Sequence, residues 1–345
     1  MEKRVSVKDI AKELNISLST VHKALTGKGG ISEERRKEVV ETAQRMGYQV
    51  NSIAQILSRK DITLGIIMPA KWKQYFAAMK AGMEQEISHL QKYKVQGFFY
   101  EMQSDIAEAE AQQVLNWLEV KHVDALIYCP SMYVMHEGFL QTLKQSKLPI
   151  FLSGDRNEEI DSISEITVDA ALAGRLAADF LRCMKGKELR AAVFTGSMKI
   201  KSHKEKVEAF IARVQEFGGK AEYICETADD PEKTAAYMPT LCEAGINAVY
   251  VSTATSGPVC EYLEQNDPEG QVALICTDLF DELKYFMKKN VAKATIYQRQ
   301  EKVGSKAVRT AYDYLIKKNS YGNEQVETEP VIKIRPSLYL LADIE

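Results

Sequence analysis

The sequence predicts two folds in one chain: a small all-α head with a helix-turn-helix layout over residues 1–50, and a two-lobed α/β body with parallel sheets from residue 62 onward. Three observations predict this. Residues 5–25 read as two short amphipathic helices meeting at a tight turn. From Ile62 the composition changes to short apolar runs alternating with amphipathic segments of helical length. Charge divides at the same place: residues 1–60 hold twelve Lys plus Arg against seven Asp plus Glu, a net of +5, and the remainder holds 33 against 41, a net of −8. The overall net of −3 therefore hides a basic head on an acidic body.

In the head, Val7, Ile10, Ala11 and Leu14 recur at i, i+3, i+4, i+7 and form one apolar stripe. Asn15 follows, a residue that tolerates the left-handed conformation of a helix-ending turn. Ser17 stands where an N-cap belongs, able to accept a backbone N–H from Ser19 or Thr20. In the second helix Val21, Ala24 and Leu25 face the first, which leaves Leu18, Ser19, His22 and Lys23 outward. A small polar and basic face near a helix N-terminus suits base edges in a major groove. The alternative is an ordinary helical hairpin with a solvated face. A third helix, Ser32 to Met46, is expected to open with Ser32 as N-cap and Glu33 and Glu34 at the positive end of the dipole. Val39, Val40, Ala43 and Met46 supply its core face, and Gly47 is placed to close it.

In the body, expected strands are Ile62–Met68, Val95–Tyr100, Ala125–Cys129, Ile150–Ser153, Ile166–Val168, Ala191–Thr195, Ala221–Cys225, Ala248–Ser252, Val272–Thr277 and Ala294–Tyr297. Helical segments separate them, among them Gln74–Gln91, Ile106–Lys121 and Tyr133–Ser146. This alternation implies parallel sheets covered on both faces, and about 285 residues is too long for one such sheet but fits two lobes.

Two motifs carry a resemblance to the lactose-repressor (LacI) family of bacterial transcription regulators. The family's head pattern V-T-x-x-D-V-A-x-x-A-G-V-S-x-x-T-V-S-R-x-L-N is met by Val5, Ser6, Asp9, Ile10, Ala11, Asn15, Ile16, Ser17, Thr20, Val21 and Leu25. Its hinge pattern N-x-x-A-x-x-L is met by Asn51, Ala54 and Leu57. The resemblance implies that residues 51–61 form a hinge segment whose helix assembles when two subunits meet on DNA, with Leu57 wedged into a minor-groove step. Candidate DNA contacts are therefore Ser6, Ser17, Leu18, Ser19, Thr20, His22, Lys23, Asn51, Ala54 and Leu57. His22 and Lys23 stand where the family usually has Ser and Arg. Lysine lacks the guanidinium fork that grips guanine on two acceptors, so a different operator preference is expected.

The body resembles, more loosely, the periplasmic-binding-protein type of sensor domain, residues 62–345, whose two lobes close on a small molecule. That arrangement implies a first lobe of about 62–163 and 296–328 and a second of about 164–295 and 329–345. Ligands of open α/β sheets sit outside the carboxyl ends of the strands. The residues following each strand supply the candidate ligand contacts: Trp72, Tyr75, Phe76, Asp155, Arg156, Ser202, Lys206, Thr253, Asp278 and Gln298. The family often carries Asn-Asp after the strand NAVYVS, and this chain has Thr253-Ala254-Thr255. The missing carboxylate loosens the expectation of a common pentose or hexose and leaves open a decorated sugar, a sugar phosphate balanced by Lys199, Lys201 or Lys206, or another small polar metabolite.

An enzyme is not expected. Six cysteines are scattered without zinc spacing, five histidines show no H-x-x-H, and no G-x-S-x-G, P-loop or G-x-G-x-x-G occurs. No metal or cofactor is expected, and Asp229-Asp230-Pro231 reads as a helix start rather than an acid pair. The N-terminus has no apolar run of signal-peptide length and the chain no 18-residue apolar stretch, so a secreted or membrane protein is not expected and a cytoplasmic one is. The expected partners are a pseudo-palindromic double-stranded operator, a carbohydrate-like effector and a second copy of the chain, the C-terminus lacking a heptad tail of the kind that makes tetramers. The expected activity is allosteric transcription control, with repression as the usual outcome. The alternative is a cytoplasmic sugar-binding protein or enzyme of the same two-lobed fold.

Overall fold

The computed structural model describes residues 5–25, 30–46, 61–70, 73–102, 108–130, 137–317 and 324–334. The chain divides into two compact units, Met1–Lys60 and Asp61–Glu345. The hinge candidates Asn51, Ala54 and Leu57, together with Trp72 and the side chain of His22, lie outside the described residues.

In the first unit α1 (Val7–Glu13), α2 (Leu18–Leu25) and α3 (Glu33–Arg45) enclose a core of Ile10, Ala11, Val21, Ala24, Val39 and Ala43. Each helix end is built from local chemistry. The Ser6 amide and hydroxyl both donate to the Asp9 carboxylate, at 2.8 and 2.6 Å, closing the start of α1. Asn15 takes the left-handed conformation at φ 51°. The Thr20 amide donates to Ser17 Oγ at 3.1 Å, which caps α2, and the Arg35 amide donates to Ser32 Oγ at 3.3 Å at the start of α3. Arg36 Nη1 donates to the carbonyls of Lys23 and Ala24, both at 3.3 Å, placing a guanidinium on the negative end of α2.

The second unit contains two six-stranded sheets. The first has the order β11-β5-β4-β3-β1-β2, formed by β1 (Ile62–Pro69), β2 (Val95–Met102), β3 (Ala125–Tyr128), β4 (Ile150–Gly154), β5 (Ser164–Val168) and β11 (Glu324–Thr328), all parallel. The second has the order β12-β10-β9-β8-β6-β7, formed by β6 (Arg190–Thr195), β7 (Lys220–Glu226), β8 (Ala248–Val251), β9 (Ala273–Thr277), β10 (Ala292–Tyr297) and β12 (Val331–Ile334). Only the β10–β12 pair is antiparallel among these.

The inner strands of both sheets are buried on both faces, the reason they read as continuous apolar runs. In the first lobe α4 (Lys73–Leu90) and α12 (Gln300–Lys317) pack on one face, while α5 (Glu108–Val120) and α6 (Glu137–Gln145) pack on the other. In the second lobe α7 (Ala170–Lys185) and α8 (Lys201–Glu216) cover one face. The other face carries α9 (Pro231–Glu243), α10 (Gly257–Asn266) and α11 (Asp281–Lys288). No helix among the described residues is long and apolar enough to cross a membrane.

The sheets correct the expected lobe boundaries. Ser164–Val168 pairs with both β4 and β11 and so belongs to the first lobe, whereas Ile296 and Tyr297 complete β10 of the second. Each lobe completes its strand before the chain crosses, because a strand interrupted in mid-ladder would leave backbone N–H and C=O groups unpaired. The three crossings therefore follow Val168, Tyr297 and Thr328, all at carboxyl ends of strands. The last explains the antiparallel edge: the chain enters the second lobe at its carboxyl-end side and must run the other way along β10.

Candidate ligand site between the lobes

A cavity opens where the carboxyl ends of the two sheets meet, with about 70 Å³ available to the centres of water-sized molecules. Tyr75, Phe76, Asp155, Ser202, Lys206, Thr253, Asp278 and Gln298 line it, joined by Ser153, Gly154, His203, Asp229 and several apolar residues. Tyr75 and Phe76, from the first turn of α4, meet edge to face with ring centroids 5.1 Å apart and form an aromatic wall. Gly154, at φ 99°, bends the chain after β4 so that Asp155 enters the cavity; a side chain there would meet Met79 as well as the unfavourable φ. Asp155 accepts the Arg156 amide at 2.8 Å and the Ser202 hydroxyl, from the other lobe, at 3.1 Å.

Lys206 is the central cation. It is 4% exposed, and its Nζ donates to the Ser252 carbonyl at 2.9 Å and to Gln298 Oε1 at 3.4 Å. The Gln298 amide nitrogen in turn donates to both Asp278 oxygens at 3.0 Å, and Gln300 donates to the same carboxylate. This relay fixes the orientation of the Gln298 amide, oxygen toward the ammonium and nitrogen toward the carboxylate. The helix carrying Lys206 is set close to α7 by Gly174: a Cβ there would lie 2.1 Å from the Lys206 carbonyl oxygen.

Burial dominates the electrostatics of these groups. It pushes Asp278 up to about 6, against the hydrogen bonds from Gln298 and Gln300 and the charge of Lys206. It holds Asp155 above its ordinary range and Lys206 below its own, although Asp278, Asp155 and Asp229 all pull the ammonium the other way. His203 is pushed down to about 3 by burial and then by Lys206. Its Nδ1 accepts the Ser197 amide at 3.2 Å, which leaves the ring proton on Nε2. Burial, with Asp278 and Asp155 adding, raises the Tyr75 phenol, so it stays protonated and able to donate.

Arg156 departs from expectation. It is absent from the cavity lining, and its guanidinium faces three carboxylates: Glu165 at 3.7 Å, Glu205 at 3.4 Å and Glu327. Glu165 and Glu327 lie on β5 and β11 of the first lobe and Glu205 on α8 of the second, so the side chain joins the lobes beside the cavity. A guanidinium with three carboxylates in reach has better-matched partners there than in the cavity. Lys199 and Lys201 also stay out of the lining, with Lys201 paired to Glu158 at 2.8 Å.

Sequence reasoning missed two titratable residues of the cavity, Asp229 and His203. Asp230 is the helix cap that the Asp-Asp-Pro run suggested, accepting the amides of Glu232 and Lys233 at 2.9 and 3.2 Å. Asp229 is a different case. With Ala228 at φ 53° and itself at φ 57°, it turns into the cavity and accepts the hydroxyls of Thr253 at 2.5 Å and Thr255 at 3.2 Å. The loop after β7 thus brings a carboxylate into the cavity beside the threonines that follow β8. Its position just beyond the end of β7 is the signal in the sequence. His203 was legible as the neighbour of Ser202, one turn before Lys206 on α8.

In the head, Leu18 and Ser19 are exposed at the start of α2, with Ser17 also exposed and Thr20 half-buried. Ser6 is exposed and engaged with Asp9. Lys23 is half-buried and reaches back to Gly30, where a Cβ would lie 3.5 Å from its Nζ, so it is less outward than the helical spacing implied.

A family model described as bacterial regulatory proteins, lacI family, matches residues 6–51, and one described as periplasmic binding protein domain matches residues 64–319. Catabolite control protein A of Priestia megaterium is 29% identical over 166 residues, 48% of this chain and 48% of that protein. The HTH-type transcriptional regulator pepR1 of Lactobacillus delbrueckii subsp. lactis is 25% identical over 254 residues, 73% of each. The chain spans about half the length of the catabolite control proteins it matches. Among solved structures, GanP, a glucose-galactose binding protein from Geobacillus stearothermophilus, has a TM-score of 0.67 at 18% identity, covering 81% of this chain and 99% of that one. A putative LacI transcriptional regulator from Bacteroides fragilis has a TM-score of 0.68 at 14% identity, covering 81% and 99%. At these identities the likeness to solved structures is one of fold. The chain belongs, over residues 64–319, to the periplasmic binding protein domain family, preceded by a helix-turn-helix region at residues 6–51 that matches the lacI family of bacterial regulatory proteins.

Proposed function

We propose that the protein is a cytoplasmic DNA-binding transcription regulator, acting as a repressor, whose operator affinity is set by a small polar, carbohydrate-like ligand held between the two lobes. The observation that carries this reading is the cavity itself. It combines an aromatic wall with hydrogen-bonding side chains from the carboxyl ends of both sheets, in a chain whose head matches the lacI model. The apolar face of Tyr75 or Phe76 suits the C–H side of a sugar ring, while Asp155, Asp278, Lys206 and Gln298 suit its hydroxyls. GanP is a glucose-galactose binding protein by name, and its fold likeness supports the same ligand class here. Binding rather than catalysis is the activity these groups support, since the relatives are regulators.

Two copies would place two α2 helices on the half-sites of a pseudo-palindrome, with Leu18, Ser19, His22 and Lys23 toward the bases and residues 51–61 joining head to sensor. Ligand-dependent change in the angle between lobes would alter the spacing of the two hinge segments. Coupling of about 1–3 kcal/mol, a 5- to 150-fold change in operator affinity, is the usual scale. The test is a thermal-shift screen of sugars followed by selection of an operator from random duplexes and titration with and without each hit. A sugar that binds and changes operator affinity is the expected result. A sugar that binds with no effect on DNA affinity would leave a sugar-binding protein of this fold and overturn allosteric control.

A further inference from the structure

The third crossing between the lobes is fastened to the cavity by one carboxylate. Asp278 follows β9 in the second lobe and lines the cavity, while Gln298 lies just past β10 and Gln300 opens α12, a helix of the first lobe. Both glutamines donate from Nε2 to the Asp278 carboxylate, Gln298 to each oxygen at 3.0 Å and Gln300 to Oδ1. All three side chains are buried. Arg299, between the two glutamines, holds φ at 57°, a left-handed conformation uncommon for a non-glycine residue, and Asp278 itself holds 68°. Each end of this fastening is rigid within its own lobe. The Asp278 amide donates to the Ile296 carbonyl at 2.8 Å and its carbonyl accepts the Thr295 hydroxyl, which anchors it to β10. At the other end α12 meets α4 backbone to backbone: a Cβ at Gly82 would lie 1.9 Å from the Glu301 carbonyl oxygen, and one at Gly304 2.1 Å from that of Met79. The helix it is set against, α4, carries the Tyr75–Phe76 wall.

We propose that Gln300, which is not among the described residues lining the cavity, is a positioning residue that couples the cavity to the angle between the lobes: through Asp278 it fastens the third crossing, and a ligand hydroxyl engaging Asp278 changes how firmly that crossing is held. The inference rests on the cavity being the ligand site and on operator control by its ligand, as proposed above. Coupling requires an interaction whose free energy differs between the two conformations. The bonds of Lys206 to Ser252 and Gln298 lie within the second lobe and do not meet that condition. The Gln300–Asp278 bond does, because its ends belong to different lobes and the torsions of Arg299 lie between them. A carboxylate offers about four acceptor positions, of which the glutamines occupy three, so a ligand donor at Asp278 crowds or displaces an amide. Occupancy then reaches the crossing without any contact between ligand and Gln300.

The test uses the full-length protein, the duplex selected from random sequence, and whichever of glucose, galactose, arabinose, allose, tagatose and myo-inositol binds most tightly by isothermal titration calorimetry. Operator affinity is measured by fluorescence anisotropy without sugar and at saturating sugar, and the ratio of the two is the coupling. Because each variant is compared with itself at saturation, a loss of sugar affinity or of stability does not enter the ratio. In the wild type a ratio of at least about fivefold, in either direction, is expected. In Gln300→Met, which keeps the length of the side chain and removes the amide, the ratio should fall below about twofold. Gln300→Glu, which replaces the donated bond by repulsion, is read in the same way and serves if the methionine variant does not fold. Lys201→Ala breaks a link between the lobes outside the cavity lining, the pair with Glu158, and should leave the ratio within about twofold of the wild type. A wild-type ratio kept by the Gln300 variants, or lost equally in Lys201→Ala, overturns the role of Gln300 while allosteric control stands. Binding by none of the six sugars, or a wild-type ratio near one, overturns the proposed function and this inference with it.

Discussion

Arg156 and Lys206 invite comparison. Both follow strands, both lie where the lobes meet, and both are surrounded by acidic residues, yet one closes a surface and the other furnishes a cavity. Arg156 finds three glutamates on the two lobes and is consumed by them. Lys206 meets a backbone carbonyl and a glutamine amide, and the aspartates around it line the same cavity. The difference teaches that a charged residue after a strand marks a site only when its countercharges are left facing a void.

If that distinction is right, Lys206→Met should weaken ligand binding by at least a hundredfold, about 3 kcal/mol, since it removes a buried charged donor. Calorimetry with any ligand found in the screen measures this, and a loss below threefold would move Lys206 into the same class as Arg156. Gly174→Ala probes the scaffold that places Lys206. The added carbon collides with the α8 backbone, and urea unfolding should show a loss of about 1–3 kcal/mol. Equal stability would mean that the helix pair shifts freely and that the cavity geometry does not depend on it.

The pH response separates the buried pocket from the half-exposed clasp. His203 falls to about 3 in the folded protein from an ordinary 6.5, so its contribution is fully present above pH 6.5 and is lost progressively as pH falls from there toward about 3. Between pH 7 and pH 5 the wild type should lose about 2 kcal/mol more stability than His203→Asn, which keeps an acceptor for the Ser197 amide but cannot titrate. Paired urea titrations at the two pH values read this difference, and its absence would mean that the imidazole is protonated in the fold. The smallest effect is expected for Arg156→Ala. The clasp carboxylates Glu205 and Glu327 are 34% and 41% exposed, so stability should drop by about 1 kcal/mol or less, and less still in high salt. Ligand affinity should change by less than threefold, and a larger loss would return Arg156 to the site.

Much of this was legible in the sequence, for reasons particular residues make plain. Strands β1 to β10 were found within a few residues, the inner ones because burial on both faces demands unbroken apolar runs such as ITLGIIM and ALICT. The edge strands Glu324–Thr328 and Val331–Ile334 escaped because glutamate and lysine interrupt them, a pattern that one-sided edge pairing tolerates. The boundary error at Ser164 arose because strand order within a sheet leaves no local mark. At the site, position after a strand identified Asp155, Thr253, Asp278 and Gln298, but the same rule could not tell Arg156 apart. Its glutamates at 165, 205 and 327 are brought together only by tertiary folding. Asp229 was hidden behind a correct reading of its neighbour, since a helix-start motif accounts for Asp230 and leaves the preceding residue unexamined.

The three crossings between lobes all leave from carboxyl ends of strands, and each connecting stretch is only a few residues long. Three short connectors between two packed lobes favour a hinge-like change of angle over sliding. On the proposed function, a ligand of any stereochemistry would be read out along that coordinate. Loops such as the one bearing Asp229 can acquire new chemical preferences without disturbing the lever that transmits the result.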